Sequence, residues 1–309
     1  MTTGLLFPGQ GSQEVGMGKA LADRYPEAAR TFEEADDVLG TPLSRVAWEG
    51  PEDELRATRN AQPALLVHSV AAHRVVADRL GGVAAAAGHS LGEFSAHVAA
   101  GTLSFAEALR AVRLRGELMW EAGQERPGAM AAVLGLDDGD AETLCRETST
   151  DVSVVVPANL NARGQIVLSG DREAVERAGE AARSAGAKRV VPLNVSGAFH
   201  SPLMEPAEAG LREGLAGTKF HAPAFPVISN VTAEPVRDGK TARDLLVRQL
   251  TSPVRWADSV ASMLELGVER FVELGAGSVL CGLNKRNARG VPCVSVGDPD
   301  EVETLDEEG

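Results

Sequence analysis

The stretch Gly81-Gly-Val-Ala-Ala-Ala-Ala-Gly-His-Ser-Leu-Gly-Glu93 decides how the rest of the chain is read. A run of small apolar residues over 83–87 reads as a strand, ends at Gly88, and gives way to a serine between two glycines. Glu93-Phe-Ser-Ala-His-Val-Ala-Ala100 then opens a helix. G-x-S-x-G between a strand and a helix is the nucleophile elbow. Such a turn is too tight for bulky neighbours, which accounts for glycine at 88 and 92. It projects the Ser90 hydroxyl from its tip, over the free N–H groups of the new helix.

Composition bounds what can surround this turn. A chain of 309 residues suits one large domain, or one large and one small, with ample length for a core. Hydrophobic residues make up 44% and charged residues 24%, as in ordinary globular proteins. Only 4% is aromatic, so the core must be packed with Ala, Val and Leu. The formal charge of −14 argues against nonspecific nucleic-acid binding. Seven of the acids fall in residues 297–309, which contain no Lys or Arg and read as an acidic, frayed, solvated tail. Cys145, Cys281 and Cys293 show neither a disulfide framework nor a metal spacing, which points to a reducing compartment. The N-terminus lacks the basic and apolar regions of a signal peptide, and no apolar run is long enough to span a membrane. A soluble, cytoplasmic protein with no metal is expected.

Outward from the elbow, helices alternate with short strands, the pattern of an α/β fold with a mostly parallel sheet. Leu5-Leu6-Phe7 is a strand running into Pro8-Gly9-Gln10-Gly11-Ser12-Gln13, where two glycines permit a turn or close approach to the main chain. Pro26 to Leu39, Pro51 to Ala57 and Pro63 to Leu80 read as helices opened by proline. Ser104-Phe-Ala-Glu107 is a capping box starting a helix to about Gly123. From Gly128 the order becomes β-α-β-β-α-β, ending with a strand at Lys188–Leu193; the strand Val152–Val156 and the loop Asn159–Gly164 lie within it. This is the ferredoxin-like pattern. The expected organisation is a large hydrolase-like α/β domain of residues 1–126 and 195–296, with a small ferredoxin-like subdomain, 127–194, inserted into it.

Two residues stand out chemically. Phe105, Ala108, Val112 and Met119 mark a buried line along the capped helix, and Arg115 falls on it. An unpaired buried guanidinium is very costly, so Arg115 should meet an anion, either a protein carboxylate or a ligand's. Ser90 needs a base. Of the six histidines, His68 and His73 lie within a long helix and His89 points away from Ser90. His97 faces packing, and His221 has no partner nearby. His200, in the loop Asn194-Val-Ser-Gly-Ala-Phe-His-Ser-Pro-Leu-Met204, is favoured by elimination. Asp137 and Asp171 fall in turns of the small subdomain, so no triad acid emerges and a Ser–His dyad fits better.

These features together resemble the malonyl-CoA:acyl carrier protein transacylase family, the acyltransferases of fatty-acid and polyketide synthesis. The matching motifs are Phe7-Pro-Gly-Gln-Gly-Ser-Gln13, Gln62-Pro-Ala-Leu65, Gly88-His-Ser-Leu-Gly-Glu93, Arg113-Leu-Arg-Gly116 with Met119, Gly197-Ala-Phe-His-Ser-Pro-Leu-Met204, Ser229-Asn-Val-Thr232 and Gln249-Leu-Thr-Ser-Pro-Val-Arg-Trp256. They occur in family order up to about residue 296. In one departure, Asn161-Ala-Arg-Gly-Gln165 stands where members commonly have Asn-Ser-Pro-Gly-Gln.

The resemblance implies roles residue by residue. Ser90 would be the nucleophile, His200 its base, and Gln249 the residue whose backbone carbonyl orients the imidazole. Gln10 and Leu91 would give backbone N–H groups to an oxyanion hole. Arg115 would clamp a malonyl carboxylate, with Gln62 near the pocket. The implied partners are a coenzyme A thioester and the phosphopantetheine arm of acyl carrier protein. No cofactor, membrane or nucleic acid is implied, and a monomer is expected. Lys188-Arg189, or Lys285-Arg286 with Arg289, offer basic patches for an acidic carrier. Three further readings stay open on the sequence: a polyketide acyltransferase acting in trans, a serine thioesterase or hydrolase, and a noncatalytic binding module.

Overall fold

The computed structural model describes residues 1–307. Its strands, in chain order, are β1 (Thr3–Phe7), β2 (Val83–Gly88), β3 (Gly128–Leu134), β4 (Val155–Ala162), β5 (Gln165–Asp171), β6 (Arg189–Pro192), β7 (Val227–Ile228), β8 (Pro235–Val236), β9 (Arg270–Leu274) and β10 (Cys293–Val296). The larger sheet has the order β10-β9-β1-β2-β7-β8, parallel except for the terminal β7/β8 pair. Leu5, Leu6 and Phe7 are wholly buried, as expected of a central parallel strand covered on both faces. Beside them Ala85, Ala86 and Ala87 are equally buried, and their small side chains let the covering helices come close. Phe7 pairs with Gly88, so β1 and β2 end level. The loop Pro8–Gln13 and the elbow therefore lie side by side, at the carboxyl end of the sheet where α/β folds place their sites.

The second sheet is antiparallel, with the order β4-β5-β3-β6. Helices Asp138–Thr148 and Arg172–Ser184 bury Ala141, Leu144, Ala174 and Ala178 against Val133, Ile166 and Leu168, a core separate from the large one. Order and connectivity together are ferredoxin-like. An extended segment of the large domain pairs with this sheet: Val254 donates to the Ala158 carbonyl at 2.8 Å, and its own carbonyl accepts from Leu160 N–H at 2.9 Å.

Several expectations need correction. The helix expected from Pro63 to Leu80 runs Thr58–Val76 with Pro63 inside it. An interior proline leaves the carbonyl four residues earlier without its donor. That carbonyl, of Arg59, is taken by Arg113 Nη1 at 3.0 Å, which also reaches Asn60 Oδ1. β4 begins later than Val152 and continues through Ala162, although Asn159–Gly164 read as loop; the tight turn is only Arg163-Gly164. Asn159 and Asn161 carry polar work for the site, which is why a strand there looks like a turn in sequence.

The acidic stretch is not frayed over its described part. Residues 299–307 form a helix, with Val302 and Leu305 buried in the large core three residues apart, while the tail's last two residues lie outside the described region. Cys281 and Cys293, read as unpaired, are joined by a disulfide linking helix Val279–Asn287 to β10. Cys145 is free and buried. Among the described residues no helix is long and apolar enough to cross a membrane.

Candidate active site

The elbow is built by exclusion of side chains. A Cβ at Gly88 would sit 1.9 Å from the Gly92 carbonyl carbon, and one at Gly92 would sit 2.1 Å from the Phe7 oxygen. No side chain can be accommodated at such distances. Ser90 itself has φ 52°, a left-handed conformation rare outside glycine and held only where the surroundings impose it. Asn230 supplies that constraint. Its Oδ1 accepts from Ser90 N–H at 2.7 Å and its Nδ2 donates to the Gly88 carbonyl at 2.7 Å, bracing both arms of the turn. Asn230 belongs to a motif quoted above without a role, so the sequence reading missed it.

His200 reaches the same point from the loop that leaves β6. It too has a positive φ, 58°. Ser201 fixes the loop, its hydroxyl donating to the Ala198 carbonyl at 2.6 Å and accepting from Leu203 N–H. His200 Nε2 lies 2.8 Å from Ser90 Oγ, and Nδ1 lies 2.9 Å from the Gln249 backbone carbonyl. A carbonyl only accepts, so the proton sits on Nδ1 and Nε2 is left as the acceptor for the serine hydroxyl. Burial, with the Arg115 charge second, pushes the imidazole down to about 3, so it stays neutral, with Nε2 free to accept.

Three of the other imidazoles have partners of their own: His68 the Gly297 carbonyl, His97 Thr102, and His89 Asn161 Oδ1 at 2.8 Å. Asp171 pairs with Arg126, and Asp137 with Arg163. The His200 imidazole is thus oriented by a carbonyl and not by an acid.

Arg115 is wholly buried, and its hydrogen-bond partners are uncharged. Nη1 donates to Gln62 Oε1 at 2.6 Å, and Nη2 donates to Gln249 Oε1 at 2.8 Å and Ser90 Oγ at 3.1 Å. Nε has no partner. Burial lowers the guanidinium to about 10, against the pull of Glu93, so it remains a cation at neutral pH. Of the two anions the sequence allowed, no protein carboxylate is among its hydrogen-bond partners. Glu93 lies one residue away, behind Gln249. Gln62 is further held by Met119 Sδ, 3.3 Å from its Nε2.

Ser90, His200, Arg115, Gln62, Gln10 and Leu91 all line one cavity of about 640 Å³. Among the described residues, no backbone hydrogen bond uses the N–H of Gln10 or of Leu91. The Gln10 side chain is tied to Thr58 Oγ1 at 3.2 Å, and that hydroxyl meets Ser196 Oγ at 2.9 Å. The arrangement offers an activated hydroxyl, a neutral base, two amides available to a developing oxyanion and a fixed cation for a negatively charged group. Among the described residues, no group of three or more His, Cys, Asp or Glu side chains could hold a metal ion.

A model of the acyl transferase domain matches residues 5–302. The chain belongs to the acyl transferase family. Two acyl transferases from the curated proteins, each named malonyl CoA-acyl carrier protein transacylase, illustrate the likeness. The one from Escherichia coli K12 is 50% identical, with 91% of each chain covered. The one from Bacillus subtilis is 46% identical, covering 98% of this chain and 97% of its own. Among solved acyl transferases, an acyl carrier protein S-malonyltransferase from Vibrio cholerae is 44% identical at a TM-score of 0.95, covering 99% of this chain and all of its own. A malonyl-transacylase in complex with its type II polyketide acyl-carrier protein is also 44% identical, at a TM-score of 0.96 over the full length of both chains.

Proposed function

We propose that this acyl transferase moves a malonyl group from malonyl-CoA to the phosphopantetheine thiol of acyl carrier protein, through a malonyl-Ser90 intermediate, supplying fatty-acid synthesis. The observation that carries this is the Ser90 hydroxyl set between His200 Nε2 and Arg115 Nη2, at 2.8 and 3.1 Å. His200 Nε2 takes the Ser90 proton as Oγ bonds to the thioester carbon, and the carbonyl oxygen turns to the N–H groups of Gln10 and Leu91. Each such donor contributes roughly 2.7–4 kcal/mol in acyl-transfer sites. Collapse breaks the C–S bond, and the proton on His200 goes to the departing thiolate. The carrier thiol then gives its proton to His200 and attacks the malonyl ester, and Ser90 recovers its proton. Arg115 holds the distal carboxylate throughout, beside Gln62, and Gln249 holds the imidazole. Nucleophile, base, oxyanion donors and clamp are all groups of the chain itself.

The two sheets support a division into a large domain, residues 1–126 and 195–296, and a small inserted one, 127–194. The cavity lies between them, with Asn159 and Leu193 on its small-domain side.

Incubation with malonyl-CoA and no acceptor tests the reading. Intact mass should show a single malonyl group, located on Ser90 by peptide mapping, and no sustained release of malonate. Steady release would instead make the protein a thioesterase. For the carrier, the exposed Lys285 and Arg286 on helix Val279–Asn287 present positive charge on a chain that is otherwise strongly acidic. Reversing both to Glu is expected to raise KM for the carrier about tenfold and leave malonyl-CoA loading unchanged. Steady-state kinetics with each substrate varied in turn will show whether the effect is confined to the carrier.

A further inference from the structure

We infer that Glu93 is a positioning residue for the carboxylate clamp: its carboxylate fixes which end of the Gln249 amide faces Arg115. The inference rests on the malonyl-transfer reading and deepens it.

Glu93 is the second residue of the elbow helix Gly92–Ala99, and it is wholly buried. A carboxylate is costly in such a place and needs donors. Oε2 finds two, Gln249 Nε2 at 2.6 Å and Asn230 N–H at 3.1 Å; Oε1 has none. Burial raises the group to about 7, with Gln249, Asn230 and the Arg115 charge pulling it back.

Gln249 is where the site's two arms meet. Its backbone carbonyl takes His200 Nδ1, and its side chain serves Arg115. A side-chain amide has one donating end and one accepting end, of nearly the same shape. Shape alone does not choose between its two orientations. Glu93 Oε2 accepts from Gln249 Nε2, and so does the Ser90 carbonyl, which lies 3.0 Å from the same nitrogen. With Nε2 committed to both, Oε1 must turn to Arg115 Nη2. The reversed amide would aim N–H at a guanidinium and oxygen at two acceptors. Each mismatch of that kind leaves a buried polar group unsatisfied.

The position of Arg115 thus depends on Glu93 through one amide, while the position of His200 depends on the Gln249 main chain and not on that amide. The hydrogen bonds of Glu93 go to Gln249 and Asn230, and those of Ser90 Oγ to His200 and Arg115. Its influence should therefore fall on recognition of the acyl carboxylate more than on the Ser–His chemistry.

Two substitutions test this. Glu93→Gln keeps the shape, but a side-chain amide can donate as well as accept and no longer dictates the orientation of Gln249. Gln249→Met keeps the backbone carbonyl and removes the amide. Each is expected to lower kcat/KM for malonyl-CoA by about tenfold, chiefly through KM, and acetyl-CoA loading by much less. In the Gln249→Met background, adding Glu93→Gln should cost less than about twofold more, since the route of action is already gone. Gln249→Met with an unchanged malonyl KM overturns the inference, even if Glu93→Gln does not fold. So does a Glu93→Gln penalty of equal size in both backgrounds. A wild-type enzyme that forms no malonyl-Ser90 overturns the malonyl reading itself. Normal wild-type adduct formation with no malonyl-specific loss in the variants overturns only the role of Glu93.

Discussion

Arg115→Ala is expected to cut malonyl loading of Ser90 by about 100-fold or more in kcat/KM, while acetyl loading holds or rises. The expectation follows from the partners of the guanidinium. Arg115 is a desolvated cation whose hydrogen bonds go to Gln62, Gln249 and Ser90, all neutral, with Nε free. A buried charge so placed gains most when an anion arrives, and truncating one side of such a pair costs about 2–5 kcal/mol. Every 1.36 kcal/mol is tenfold in rate, which sets the size of the effect. An acetyl group brings no anion and loses nothing. It gains a pocket from which a buried cation has been removed. Intact mass after exposure to malonyl-CoA or acetyl-CoA reads both outcomes, and unchanged malonyl kinetics would sink the clamp assignment.

His200→Ala should slow formation of the malonyl-enzyme by about 1,000-fold, within the range of a lost general base. The wild-type pH profile adds a sharper check. Burial and the Arg115 charge push His200 down to about 3, so the imidazole is a neutral base at every pH above that value. The kcat for acyl-enzyme formation should therefore show no acidic limb near 6.5, the ordinary value for histidine. The sign for stability follows from the same shift. In the unfolded chain the imidazole protonates as pH falls through 6.5, and in the folded chain it does not until about 3. The stabilisation from this group is full above 6.5 and is lost progressively toward 3. Acid inactivation should thus coincide with unfolding, seen by circular dichroism on the same samples. A limb near 6.5 in folded enzyme would contradict the environment described for His200.

How far the sequence carried this picture depended on whether a residue's chemistry was visible in its local pattern. Ser90 was legible because glycines at 88 and 92 have a steric cause that shows in five residues. Arg115 was legible because a charge interrupted an apolar helical line. His200 was reached only by elimination, since nothing in residues 194–204 says what the loop touches. Glu93 and Asn230 were missed although both sit in quoted motifs. A lone acid in the short helix Gly92–Ala99 was the available signal for Glu93. For Asn230 there was none, because its work is done across 140 residues of chain. The strand β4 was misplaced for a related reason: Asn159 and Asn161 have turn chemistry but serve the site, and His89 takes Asn161 as partner. The acidic tail failed differently. Charge dominated its composition and concealed Val302 and Leu305, the two residues that bury its helix.

The bond from Gln249 Nε2 to the Ser90 carbonyl closes a span of 159 residues. On a ribosome adding about 5–20 residues each second, that span takes about 8–32 s to synthesise. Throughout that interval a nascent chain carries its nucleophile without the residue that orients the base, and for most of it without the base. A chain that stalls before Gln249, or is clipped there, holds a serine without an oriented base. Unfinished copies should therefore draw acyl groups from the pool far more slowly than the finished chain.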